Sequence, residues 1–239
     1  MSLDELTERS RLLWAGLAGP PAQFAPQVSV AVARQSRLGP PGWCALVTIA
    51  GAVIATAPDP GTARAVEQAL AGLPAASVTD AGVVADRLST AEVLGPAWLA
   101  YLDAGDVRRQ DGPPVVLAGI AELGAFLATV DPADRDESGI EEITSPAFTI
   151  WSDSQAAAVA GYSDWPRRTA HLSVLTAPWA RGRGLAKVAA SAAVAAALAD
   201  GRLPQWRARP EASRRVALAL GFRELGAQVS FRLRPSGGG

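Results

Sequence analysis

The stretch Val174-Leu175-Thr176-Ala177-Pro178-Trp179-Ala180-Arg181-Gly182-Arg183-Gly184-Leu185-Ala186 holds the residue types best suited to chemistry in this chain. It reads as a strand, a proline, a glycine-rich turn and then, without pause, a long helix. Gly182 and Gly184 let backbone approach a ligand where a Cβ would intrude. Free N–H groups in the helix's first turn, with the helix dipole behind them, form a site for an anion, and a pyrophosphate suits it. There is no Gly-Lys-Ser/Thr, so this is not a nucleoside-triphosphate loop, and the third glycine of the dinucleotide fingerprint is missing. The same pattern also serves as a purely structural strand–helix turn, and the motif alone leaves that alternative open.

Other side chains could take part. His171 is the only histidine, and an imidazole with an ordinary pKa of about 6.5 suits a general base. It alternates with Leu172 and Val174, and the sequence does not say which face of the strand it occupies. Glu141 and Glu142 end an acidic segment just ahead of the next strand. Tyr162 and Trp165 flank a turn that can border a pocket or simply pack. Ser213 either caps a short helix or, with Arg214 beside it, meets a ligand. Cys44 has no histidine near it in sequence and reads as a small buried apolar residue. No metal is expected.

The elements that must position these groups follow from spacing and punctuation. Leu3 to Leu17 has helical periodicity and stops at Gly19-Pro20-Pro21. Val28 to Ala33 alternates as a strand, and Cys44 to Thr56 reads as one or two more. Thr62 to Leu73 predicts an amphipathic helix, and Ala91 to Leu102 a further helix despite Pro96. Asp103 to Pro114 is charged and ends in Pro113-Pro114, which sets a boundary: residues 1–112 form an N-terminal α/β region, and residues 113–239 form a second domain. In the latter, Ile120 to Val130 predicts a helix. Strands follow at Ala147–Trp151, Ala156–Tyr162 and Thr169–Thr176. Then come a long helix, Gly184 to Ala199, a strand at Leu203–Ala208, a short helix at Glu211–Leu220 and closing strands from Phe222 to Leu233. Pro235 to Gly239 reads as a flexible tail. The class is α/β with a mixed sheet.

The order strand, Arg-Gly-Arg-Gly turn, helix, strand, Ser213, then Gly221-Phe222 eight residues later resembles the GNAT superfamily of acyl-CoA-dependent N-acyltransferases over residues 119–235. The resemblance implies the GNAT fold and a sheet splayed open where the donor inserts. It implies acetyl-CoA as co-substrate and acetyl transfer to a primary amine by direct attack, with no acyl-enzyme. It places Val174, Leu175 and Thr176 along the pantetheine arm, and Arg181, Gly182, Arg183, Gly184, Leu185 and Ala186 around the pyrophosphate. Ser213 and Arg214 would meet the donor's thiol end or its 3′-phosphate. A backbone N–H of the fourth strand would stabilise the oxyanion, and Glu142, Glu141 or His171 would remove the proton. Three positions depart from the family's habit. Trp179 stands where Gln or Arg usually opens the motif, Pro210 where Asn is frequent, and Ala217 where many members carry the tyrosine that acts as general acid. That last departure supports an alternative, a CoA-binding regulatory or scaffold protein that has lost catalysis; an enzyme for a larger acyl-CoA is a third. The N-terminal region, which has no motif, reads as a degenerate half-transferase or an acceptor-shaping lid.

Bulk properties agree. The chain has 239 residues, 49% hydrophobic and 19% charged, with a net charge of -1. That is a soluble globular composition with no overall field for nucleic acid or an anionic membrane. Charge is uneven along it: His171 to Gly239 holds eleven basic and three acidic residues, whereas Asp103 to Glu142 holds three basic and ten acidic ones. A basic half suits phosphates, and an acidic segment attracts an amine. The N-terminus lacks a secretory pattern, no run is long enough to span a bilayer, and one cysteine cannot form an internal disulfide. The expected setting is cytoplasmic, with a small-molecule or peptide amine as acceptor, no nucleic-acid or membrane partner, and a homodimer left open.

Overall fold

Helix α1, Leu3–Ala18, begins where Ser2 and Glu5 cap each other reciprocally, and it buries Leu6, Leu13, Trp14 and Leu17 along one face. In the computed structural model, which describes residues 2–234, this helix opens the first of two compact units, Ser2–Leu99 together with the chain from Glu224 onward. Strand β1, Val30–Val32, precedes a hairpin of β2, Cys44–Ile49, and β3, Ala52–Ala57. Ala50 and Gly51, both at positive φ, make the tight turn between them. Helix α2, Pro60–Leu70, and helix α3, Ala81–Arg87, follow, each capped by the aspartate before it. They bring Val66, Leu70 and Val84 into a core shared with Leu46, Val53 and Ala55.

Strand β4, Thr90–Tyr101, occupies the segment expected to be helical from Ala91 to Leu102. Its alanines, leucines and glutamate favour helix locally, but Gly95-Pro96 would interrupt one, and pairing with distant strands outweighs propensity.

The second unit runs from Ala100 to Arg223. The sequence boundary at Pro113 therefore lies inside it, and the last strand returns to the first unit. Strand β5, Val116–Ala118, leads into a 3-10 turn at Ile120–Leu123 and the single-turn helix α4, Gly124–Leu127. The continuous helix expected from Ile120 to Val130 is thus broken into short pieces. Helix α5, Pro132–Ser138, lies within the acidic segment and ends at Gly139 in the left-handed conformation. Strands β6, Ala147–Ser152, β7, Gln155–Trp165, and β8, Thr169–Thr176, form an antiparallel meander. Helix α6, Leu185–Ala199, strand β9, Leu203–Ala208, and helix α7, Glu211–Ala219, complete the unit. The sheet order here is β9-β8-β7-β6-β5, parallel only between β8 and β9. Ala189, Ala190, Ala193 and Ala197 of α6 are fully buried, so small side chains let the helix lie close to the strands beneath it.

Strand β10, Arg223–Leu233, is one strand where the sequence suggested several. It pairs antiparallel with β2, from Gly226 opposite Ile49 to Phe231 opposite Cys44. The first unit's order is β1-β3-β2-β10-β4, with β1 and β3 parallel. Strand pairing is mixed in each unit, and the fold is α/β. Among the described residues no helix is long and apolar enough to cross a membrane. The tail expected at Pro235 to Gly239 lies outside the described residues.

Candidate donor-binding cleft

Strands β8 and β9 pair over three residues, Thr169 to His171 against Leu203 to Gln205. Beyond that point no ladder joins them, and Leu172–Thr176 and Trp206–Ala208 diverge. The gap is a cleft of about 590 Å³, within the size range of small-molecule sites. Its walls are apolar along Leu172, Val174, Leu175 and Trp206, and its open end is lined by Arg181, Lys187 and Arg215.

Leaving β8, the chain makes a 3-10 turn at Pro178–Ala180, closed by the Ala180 N–H donating to the Ala177 carbonyl at 2.9 Å. Gly182 and Gly184 then take φ of +77° and +78°, a region closed to most L-residues. A Cβ on Gly182 would meet nothing within 4 Å, so conformation, not crowding, requires glycine there. Gly184 is the N-cap of α6 and carries no side-chain cap. The Lys187 N–H returns to the Gly184 carbonyl at 3.0 Å, whereas Leu185 and Ala186 open the helix with no preceding turn to accept from them. An uncapped helix start beside three cationic side chains fits a pyrophosphate, and the apolar strand wall fits a thioester-bearing arm.

Of the residues expected to hold the donor, Val174, Leu175, Thr176, Arg181, Gly182, Gly184, Leu185, Ala186 and Ser213 line this cleft. Arg183 and Arg214 do not; Arg214 bonds Glu211 at 3.3 Å on its own helix. Ser213 accepts a hydrogen bond from the Trp206 indole at 3.0 Å, which fixes both side chains on the α7 wall. Arg181 is already paired, with Asp134 at 2.7 Å. Sequence reasoning passed over Lys187, Arg215 and Arg207. The signal was present for the last, since Gln205, Arg207 and Arg209 alternate along one face of β9.

The opposite face of β8 is fixed by Ser173, whose hydroxyl donates to the Gly139 carbonyl. Alternation puts His171 on this same face. Its ring stacks on Trp165 at 4.1 Å between centroids, and Nδ1 meets the Gln205 side-chain oxygen. Desolvation, with the positive charge of Arg207 adding to it, pushes the His171 pKa down to about 3, against the pull of Gln205. Neutral imidazole is therefore the working form, and it is a weak base. Glu142 is exposed on the short turn Ile140–Glu142, where its carbonyl accepts from the Ser163 hydroxyl at 2.8 Å. Glu141 is exposed and faces Arg135 at 3.9 Å. Neither glutamate lines the cleft, although the charge of Glu142 acts on Arg207. Tyr162 is buried, its hydroxyl donating to Asp200 at 3.1 Å, so it ties β7 to the end of α6. Ala217 is buried and offers no proton. Cys44 is buried in the first unit, and burial raises its thiol to about 12.

Residues 147–228, from β6 into β10, match the family model of GNAT acetyltransferases. Over that span the chain resembles a GNAT acetyltransferase domain. The matched span contains both diverging strands, the α6 turn and most of the residues that line the cleft. Among solved structures, a GCN5-related N-acetyltransferase-like protein from Streptococcus suis is 18% identical over 97% of this chain and 100% of that one, with a TM-score of 0.51. At that identity the likeness is one of fold. A putative GNAT-family acetyltransferase from Novosphingobium aromaticivorans is 24% identical over 62% of this chain and 67% of its own, with a TM-score of 0.49. A GNAT-family acetyltransferase from Colwellia psychrerythraea is 16% identical over 64% of this chain, with a TM-score of 0.47, and this chain spans only 60% of its length. No curated protein matches the sequence.

Proposed function

We propose that the GNAT domain transfers an acetyl group from acetyl-CoA to a primary amine. The divergence of β8 from β9 beside the uncapped start of α6 carries this reading. One feature supplies an apolar slot and the other an anion site at the slot's mouth. Bound acetyl-CoA would supply the activated acyl group and the thiol leaving group. The chain's part is to hold the donor's phosphates at Gly182 to Ala186, to keep the arm dry between Val174, Leu175 and Trp206, and to offer main-chain N–H groups of β8 to the oxyanion. Glu142, on the amine's side of the sheet, takes the proton directly or through water. The reading includes a cytoplasmic setting, for which a lone buried thiol is the support.

Calorimetric titration with coenzyme A, followed by acetyl-CoA turnover on an amine panel with free thiol measured, tests it. Micromolar binding with amine-dependent thiol release is the expected result, and absence of binding ends the reading. One observation favours a second function: Ala217 is buried and without a hydroxyl at the position many family members use for the proton donor. Coenzyme A binding without turnover on any amine would support a regulatory CoA-binding protein.

A further inference from the structure

The face of β8 and β9 turned away from α6 carries His171, Ser173, Gln205, Arg207 and Arg209, because alternate strand residues share a face and the parallel register sets His171 opposite Gln205. Arg209 is neutralised by Glu137. Arg207 lines the cleft and forms no ion pair among the described residues; the residue is exposed as a whole, while partial desolvation of its guanidinium draws its pKa below the usual arginine range. Its guanidinium lies 5.9 Å from the centroid of the Trp165 ring, and Trp165 is itself stacked on His171. A guanidinium held against an aromatic face keeps the donors along its edge for another partner.

Two residues away on the same face, the Gln205 side chain is fully buried with its oxygen on His171 and its nitrogen without a partner. A cation at the cleft thus lies two residues along the strand from a buried donor without an acceptor. The charges acting on Arg207 are those of Arg209, Glu137 and Glu142. Glu137 is committed to Arg209, which leaves Glu142 as the balancing charge.

The donor's phosphates do not account for this arrangement. They are met at α6, past the end of β8, and His171 is five residues before Thr176, about 16 Å along an extended strand. Arg207 sits only two residues beyond the paired end of the cleft, near where the thiol end of the arm would arrive. A ligand group there belongs to the acceptor.

Resting on the acetyltransferase reading, we propose that Arg207 anchors a carboxylate of the acceptor. The acceptor class is then a primary amine with a carboxylate a few bonds from its nitrogen, such as an amino acid, and not a simple amine or polyamine. A single guanidinium fork matches one carboxylate in charge and geometry, while Glu142 beyond it faces the cationic end of the same molecule.

Equilibrium titrations of the full chain, with and without saturating coenzyme A, by free amino acids and by the corresponding primary amides test this proposal. At least one amino acid should bind roughly ten- to hundredfold more tightly than its amide. Arg207→Gln should erase that advantage and Arg207→Lys should keep part of it. Equal binding within every pair, or an advantage that survives Arg207→Gln, overturns the proposal. A stronger response to aminoalkyl phosphates than to any amino acid overturns it too. Coenzyme A titrated alone reports separately on the donor site, so failure of the transferase reading is distinguishable from failure of this one.

Discussion

Strand β3 enters α2 through Pro58-Asp59-Pro60, and strand β8 enters α6 through the turn from Ala177 to Gly184. In the first unit the Asp59 carboxylate accepts from the Gly61 and Thr62 N–H groups, both at 2.9 Å, and from the Thr62 hydroxyl at 2.6 Å. Those bonds, led by the Thr62 hydroxyl, hold its pKa below the usual carboxylate range. Pro60 removes one more donor. The helix start is satisfied from within and presents a negative charge. In the second unit a left-handed glycine takes the capping position and has no side chain to offer. Similar strand–helix junctions thus reach opposite ends: one start is satisfied by its own side chains, and the other has no side-chain cap. Whether a helix start binds phosphate depends less on its dipole than on who has already claimed its first amides.

The strongest way to break this contrast is Gly184→Val. A β-branched residue at φ +78° strains the cap locally by roughly 1–2 kcal/mol, which a domain of ordinary stability survives. Coenzyme A affinity should fall at least a hundredfold by calorimetry while the circular dichroism spectrum is kept. Unchanged affinity in the folded variant would reassign the turn as structural.

Next in size is the acceptor side. Glu142→Gln should lower turnover about a hundredfold with coenzyme A affinity intact, and His171→Ala should lower it less, because the ring is neutral and weakly basic. Steady-state kinetics of the two variants decide between them. A dead His171→Ala beside an active Glu142→Gln would make the histidine the base.

Asp59→Ala sharpens the contrast from the other unit. It should lower Tm by a few degrees in thermal unfolding through loss of the α2 cap and leave coenzyme A affinity where it was. A change in donor affinity would mean that the capped helix start takes part in binding after all.

The smallest effect is on pH. The folded chain holds His171 near pKa 3 while the unfolded chain titrates it at the ordinary value of 6.5. Its depressed pKa means stability is full above 6.5 and declines as pH falls from 6.5 towards 3, because the unfolded state takes the proton first. The Tm of His171→Gln should therefore fall less steeply over that window than that of the wild type. Identical slopes would show that the ring is not desolvated.

The α6 turn was legible in the sequence because its information is local: glycines at fixed spacing between a β-rich run and a long helical one. The strand-rich run from Cys44 to Thr56 and the succession of elements from β6 to α7 were legible for the same reason. Strand β4 was not, since the residues from Ala91 to Leu102 favour helix by composition and become a strand only through partners far away in sequence. The face of His171 was equally hidden. Alternation says which residues share a face, and only the Ser173 bond to Gly139 shows which face looks towards α5. Arg207 looked like one of several scattered arginines until its neighbours were known to be paired and it was not.

Where β8 and β9 part, the second unit has an edge inside its own sheet. The β7 side of β8 is fully laddered from Thr169 to Thr176, so from Leu172 onward only the polar groups aimed at β9 are left for water. Such a seam should behave as surface in time although it lies mid-sheet in space. Its amides should exchange deuterium within the fast regime of loops, between neighbouring strands that exchange slowly. A molecule with amides spaced along a thin chain can sew the seam shut, and the same amides would then fall silent together.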